Sequence, residues 1–205
     1  PLFDADAKFD SGTGWPSWAF ENHDAPRAVS RWCAPEHVAA FARMKMALLV
    51  ALRGNVILYQ GEELGLEQDA IPYELLQDPE AIANWPLTLS RDGVRTPLPW
   101  TAQDEYGGFS RTMPWLPLSE ANMARAIDRQ AQEPDSQLAL TRDLIALRQA
   151  HPALRNGSVI CHCDGAPLEL VREAGGQRIR CRFNLGTGTL DLPALAGTVL
   201  TALNG

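Results

Sequence analysis

An α/β fold that closes on a small antiparallel β domain is predicted by three observations. A helical run at residues 35–53 lies between two short strand-like runs, which is the pattern of a βαβ unit. A second helical run precedes Pro152. Beyond Asn156-Gly157 the hydrophobic period changes from that of helices to that of strands. At 205 residues, 45% hydrophobic and 21% charged, the chain is long enough for one large domain or two small ones.

Residues 1–14 show neither period, and the first residue is Pro1 rather than Met, which reads as a chain entered partway along. Trp18-Ala19-Phe20 is the apolar entry of a strand, followed at once by Glu21-Asn22-His23-Asp24-Ala25-Pro26-Arg27. Parallel sheets cover both faces of their strands, so polar groups are expelled to the strand ends and the loops beyond them. Two readings follow. Asp24 stabilises a developing positive charge while His23 holds a substrate hydroxyl, or Asn22, His23 and Asp24 cap a turn before Pro26.

Pro35 suits a helix start, and Val38, Phe41, Ala42, Met44, Lys45, Leu48, Leu49 and Leu52 recur largely at i, i+3, i+4 until Arg53-Gly54-Asn55 stops the run. Residues 55–60 are a compact β-branched and aromatic run with no room for polar alternation, so they read as a buried parallel strand. The segment 61–66 then leaves that strand on the same side as Asp24, because parallel strands expose their carboxyl ends together. Glu62 and Glu63 read as structural.

Pro72, Pro79, Pro86, Pro97, Pro99, Pro114 and Pro117 forbid any long helix or central strand between residues 67 and 118. Loops of this length in a compact domain are usually functional. Trp85, Trp100, Trp115 and Phe109 are expected to pack the loop onto its own domain. Asp135 or Ser136 caps the next helix, which carries Leu138, Leu140, Leu144, Ile145 and Leu147 and ends before Pro152. Strands are then predicted at 159–163, 168–172, 178–183 and 198–203, so the domains are 1–154, including a long loop 61–118, and 158–205.

A formal net charge of -7 with a pI near 5.1, and no run of Lys or Arg, exclude a nucleic-acid surface. No apolar run approaches the roughly 20 residues of a membrane span, and no leader peptide opens the sequence, so no membrane association is expected. Cys33, Cys161, Cys163 and Cys181 are too few for a disulfide scaffold. Cys161 and Cys163, on one face of a strand, lack zinc-finger spacing. Reduced thiols in a cytoplasmic protein, with no cofactor and no metal ion, are expected.

Several stretches together resemble one family. Phe20-Glu21-Asn22-His23-Asp24 is similar to the seventh-strand signature of the α-amylase superfamily, glycoside hydrolase family 13. Residues 54–65 are similar to its eighth-strand signature. Residues 91–100 and Gly108-Phe109-Ser110 are similar to the long eighth-strand loop of the α-glucosidase and oligo-1,6-glucosidase branch. Motifs in order along nearly the whole chain are far harder to match by chance than one pattern.

The resemblance implies the last strand-helix units of a (β/α)8 TIM barrel followed by a small antiparallel β-sandwich domain. It also implies retaining hydrolysis of terminal α-linked glucose in oligosaccharides or disaccharides by two carboxylates about 5 Å apart. The family carries that nucleophile and acid/base on earlier strands, so both are expected in a missing amino-terminal part, and this chain alone is expected to be inactive.

Carried over by position, Asp24 matches the carboxylate that stabilises the oxocarbenium-like transition state, and His23 matches its neighbour on the same sugar. Arg91 matches the loop arginine that clamps the terminal glucose together with an Asp from the missing part; Arg27 is left as structural. The alternatives are a glucosyl-transferring or isomerising enzyme of the family and a non-catalytic, transporter-associated relative. Intact His23, Asp24 and Arg91 argue against the last. Asn156-Gly157-Ser158 forms a glycosylation sequon that turn geometry already explains.

Overall fold

The computed structural model describes residues 14–88, 90–163, 167–186, 188–191 and 196–203. The aperiodic reading of residues 1–13 lies outside them. Two compact units divide the chain, one formed by residues up to Trp18, Met44–Ile57 and residues from Asp143 onward, the other by Ala19–Arg43 and Leu58–Arg142.

The first unit holds β1 (Ser17–Trp18) and β2 (Asn55–Val56), paired in parallel with Ser17 opposite Asn55 and Trp18 opposite Val56. The ladder is extended by Asn55 N–H donating to the Pro16 carbonyl at 2.8 Å and Ile57 N–H to the Trp18 carbonyl at 2.9 Å. Both strands are much shorter than their apolar runs predict. A strand persists only where a neighbour takes its hydrogen bonds, and Ile57, expected to be buried, is 51% exposed.

The predicted helix is α2 (Val38–Ala51), entered through a 3₁₀ turn at Pro35–His37 with Pro35 in its first position. A further short helix, α1 (Ala28–Trp32), precedes it, in a stretch to which the sequence reading gave no element. Gly54 ends α2 at φ +131°, where an added Cβ would lie 2.5 Å from the Pro16 carbonyl oxygen. Only glycine takes this backbone path so close to β1.

The last carbonyls of α2 lack partners within the helix. Two guanidiniums take them. Arg148 donates to the carbonyls of Val50, Leu52 and Gly54, the latter two at 2.9 and 2.6 Å. Arg172, fully buried, donates to Ala51 at 2.6 Å and to Gly157 and Ser158, each at 3.0 Å. A cation at a helix carboxyl end also meets the favourable end of the macrodipole. Met46, Leu49 and Val50 form the buried side of this part of α2.

Arg148 belongs to α6 (Gln137–Ala150), where the Ser136 hydroxyl accepts from Ala139 N–H at 3.1 Å, as a capping serine does. The helix stops at His151, and Pro152 opens the short α7 (Pro152–Asn156). After Asn156-Gly157 come β3 (Ser158–His162), β4 (Pro167–Ala174) and β5 (Gln177–Asn184), an antiparallel meander in the order β3-β4-β5. Leu168 and Phe183 pair on its buried face. On the other face Glu169 accepts from Arg182 Nε at 2.7 Å, and Glu173 lies 3.1 Å from Arg178.

Cys163 lies just past β3 rather than on it. Residues 198–203 form no strand, although they were expected to. Val199 is 78% exposed and Leu200 43%, and among the described residues no neighbour supplies the ladder that β-propensity alone cannot replace. Among the described residues these strands form one three-stranded sheet.

The second unit holds the Pro-rich loop, broken into 3₁₀ turns at Glu62–Leu64, Tyr73–Leu75 and Arg91–Val94 and the five-residue α3 (Pro79–Ala83). Two four-residue helices follow, α4 (Glu120–Met123) and α5 (Ile127–Gln130). Aliphatic side chains pack the loop: Ile71, Leu76, Ala81 and Leu116 form one cluster, and Leu64, Leu66 and Leu138 another. Trp85, Trp100, Trp115 and Phe109, expected to do this packing, are each about half exposed.

Candidate active site

Three segments of the second unit meet at Arg27, whose guanidinium is 1% exposed. Nη1 donates to Glu21 Oε2 at 3.0 Å and to the Gln60 carbonyl at 2.8 Å, while Nη2 reaches the Val94 carbonyl. Its plane lies over the Tyr59 ring, 5.0 Å from the centroid, and the Tyr59 hydroxyl donates to Val94 as well, at 3.0 Å. Glu21 takes a further bond from Ala28 N–H at 3.1 Å. These hydrogen bonds offset much of the cost of burying the charge pair, although Arg27 Nε itself meets no acceptor among the described residues. The structural reading of Arg27 thus acquires content: it joins the loop after β1, the loop after β2 and the 3₁₀ turn at residues 91–94.

Gly61 is part of this junction. At φ +89° an added Cβ would lie 2.8 Å from Arg27 Nη2 and 2.7 Å from Leu66 Cδ1. Glu62 Oε2 accepts from Tyr59 N–H and Glu63 Oε2 from Gly61 N–H, so both acids build the turn they sit in.

Held by this frame, Asn22 Oδ1 accepts from Asp24 N–H at 2.8 Å, an Asx turn that presents the next two side chains outward. The side chains of His23 and Asp24 are 67% and 56% exposed, with His23 Nε2 3.3 Å from Asp24 Oδ2. The other oxygen, Oδ1, accepts from Arg95 Nη2 at 3.0 Å and lies 3.7 Å from Arg91 Nη1. Arg95 Nε donates to the His23 carbonyl at 2.9 Å. The three residues singled out from the sequence therefore stand together.

Arg91 is fixed from behind by Asp78, which is 2% exposed. Nε and Nη2 of Arg91 fork onto its two carboxylate oxygens, and the backbone N–H of Arg91 adds a third bond at 3.0 Å. The hydrogen bond from Arg91 holds the Asp78 carboxyl far below the usual carboxylate range, and the same contact raises Arg91 further above its own. Asp78 in turn caps α3 through Glu80 N–H, and its own N–H donates to the fully buried Asp92.

Asp78 and Arg95 were missing from the sequence reading. The Asp-Pro dipeptide at a helix start conceals the second duty of Asp78. The Arg-x-x-x-Arg spacing across one 3₁₀ turn, which brings Arg91 and Arg95 to the same carboxylate, was the available signal for Arg95.

The arrangement is an exposed carboxylate bracketed by two guanidiniums and an imidazole. Such a cluster offers hydroxyl groups both acceptors and donors.

A family model described as "Alpha amylase, catalytic domain" matches residues 4–157. A probable α-glucosidase of Rhizobium meliloti (strain 1021) is 42% identical over 185 residues, which are 88% of this chain and 33% of that protein. An oligo-1,6-glucosidase of Heyndrickxia coagulans is 33% identical over 204 residues, covering 87% of this chain and 36% of that one. Among solved structures, the α-glucosyl transfer enzyme XgtA superposes with a TM-score of 0.86 at 42% identity, over 94% of this chain and 37% of its own. The chain thus spans about a third of the length of the relatives it matches.

Proposed function

The chain belongs to the α-amylase family of glycosidases, the family of the (β/α)8 barrel, and from that premise we propose that it is part of a retaining α-glucosidase acting on terminal α-linked glucose. The observation that carries the reading is the Asp24 carboxylate, exposed to solvent yet held by cations on one oxygen and the His23 imidazole on the other.

In this proposal Asp24 stabilises the oxocarbenium-like transition state, where a fixed negative charge opposes the positive charge that develops on the sugar ring. His23 donates to a hydroxyl of the same sugar, and Arg91, rigid on Asp78, contacts the terminal glucose. The substrate is an α-glucosidic oligosaccharide or disaccharide. β1 and β2 stand as the last two barrel strands, residues 1–154 complete the barrel and 158–205 form a β-sandwich domain. The remaining amino-terminal part supplies the nucleophile and the acid/base. The free thiols among the described residues suit a cytoplasmic setting, and no described helix is long and apolar enough to cross a membrane.

A second reading, transfer of the glucosyl group to an acceptor sugar rather than to water, is favoured by the likeness to the α-glucosyl transfer enzyme. The two share every role given to Asp24, His23 and Arg91, and differ in what attacks the glycosyl-enzyme.

The test is hydrolysis of 4-nitrophenyl α-glucoside by this chain alone and by the complete enzyme, with added sugar acceptors to separate transfer from hydrolysis. Activity is expected only in the complete enzyme, and Asp24→Asn is expected to lower kcat by about 10²-fold or more, the loss typical of one electrostatic contact to a transition state. Near-normal turnover of that variant would sink the assignment.

A further inference from the structure

The two guanidiniums beside Asp24 do not do the same thing. Arg91 is committed to Asp78 through both fork donors and its backbone N–H. Its remaining Nη1, 3.7 Å from Asp24 Oδ1, is beyond hydrogen-bond length. Arg95 is committed to the His23-Asp24 dipeptide itself, Nε on the His23 carbonyl at 2.9 Å and Nη2 on Asp24 Oδ1 at 3.0 Å. A planar guanidinium holds these donors at fixed spacing. One side chain therefore sets both the backbone at His23 and the rotamer of Asp24.

Asp24 needs such a hold. Its side chain is 56% exposed, and a short exposed side chain exchanges between staggered rotamers unless a contact selects one. Arg95 is well placed to make the selection, because its side chain is only 24% exposed and its base is anchored. Arg95 N–H closes the 3₁₀ turn onto the Asp92 carbonyl at 2.9 Å, and the carbonyl just before it, that of Val94, receives Tyr59 and Arg27.

We propose that Arg95 is the positioning residue of Asp24, fixing Oδ1 so that the carboxylate is offered to the sugar ring in a single geometry. The inference rests on the reading of Asp24 as the transition-state stabiliser. Acting through Asp24, Arg95 contributes to kcat rather than to ground-state binding, and contributes nothing once the Asp24 charge is gone.

The experiment compares the complete enzyme with its D24N, R95M, R95K, D24N/R95M and D24N/R95K variants on 4-nitrophenyl α-glucoside, with circular dichroism confirming each fold. R95M is expected to lower kcat by about 10²-fold, the cost of misplacing a catalytic group by about an ångström. KM should stay within about threefold, as for an interaction realised only in the transition state. R95K keeps the charge without the fork and should still lose about tenfold or more. In the D24N background either Arg95 change should cost almost nothing further.

Parent-like kcat in R95M or R95K beside a crippled D24N overturns the proposal. So do losses that multiply in the double variants, since Arg95 would then act independently of Asp24. Should R95M fail to fold, R95K and D24N/R95K carry the same comparison. Parent-like turnover of D24N would instead overturn the reading of Asp24 itself.

Discussion

Glu21→Gln tests the junction on which the whole candidate site is built. The change keeps the shape of the side chain and an oxygen for Ala28 N–H but removes the charge that faces Arg27. Both partners are 1% exposed, so the guanidinium left behind has no access to water. Breaking a buried pair from one side costs about 3–5 kcal/mol, because the surviving charge is uncompensated. Arg27 keeps its bonds to the Gln60 and Val94 carbonyls and its place over Tyr59, which puts the expectation at the lower end of that range.

In urea, with a slope of about 2–3 kcal/mol per molar, the midpoint should fall by about 1–1.5 M. Tryptophan fluorescence of the complete enzyme reads it. Replacing both partners by apolar side chains of similar size, Glu21→Leu with Arg27→Met, should recover most of the loss, since neither member of the pair then leaves the other's charge buried and unmatched. A midpoint for Glu21→Gln within error of the parent, or a double variant weaker than the single one, would refute the reasoning.

Asp78→Asn should raise KM and lower kcat in the complete enzyme, because Arg91 loses the carboxylate that aims it; unchanged KM would separate Arg91 from substrate binding. Since Arg91 lowers the folded-state pKa of Asp78, the stability this contact contributes is present above the ordinary carboxylate pKa and is lost only as pH falls through the lowered one. The stability gap between parent and Asp78→Asn should therefore be constant from pH 8 to pH 5, about where an ordinary carboxylate is still ionised, and narrow only in stronger acid. Burial pushes the Cys181 thiol up to about 11, so at pH 8 it stays protonated, whereas Cys163 is exposed. A thiol-exchange reagent should label Cys163 rapidly and Cys181 much more slowly, and equal rates in the native protein would contradict the raised pKa of the partly buried β5 thiol.

Local chemistry alone determined the two long helices and the meander. The recurrence of Leu, Val and Met along residues 38–51, Ser136 ahead of α6, Pro152 as its stop and Gly175-Gly176 between β4 and β5 each act within a few residues, which is why they are legible in one dimension. The clustering of His23, Asp24 and Arg91 was legible too, but through motif resemblance rather than through any period.

The lengths of β1 and β2, the absence of a strand at 198–203, and the duties of Asp78, Arg95, Arg27 and Arg172 were decided only in three dimensions. A strand needs a partner's backbone, which its own residues do not specify, and the run from Asn55 to Gln60 has the same composition whether or not a neighbour pairs with it. A buried arginine is recognised by the carbonyls it meets, and those of Ala51, Gly157 and Ser158 around Arg172, or of Gln60 and Val94 around Arg27, are backbone groups present at every position. Nothing in the order of residues marks which of them the fold will bring within hydrogen-bonding reach of a guanidinium.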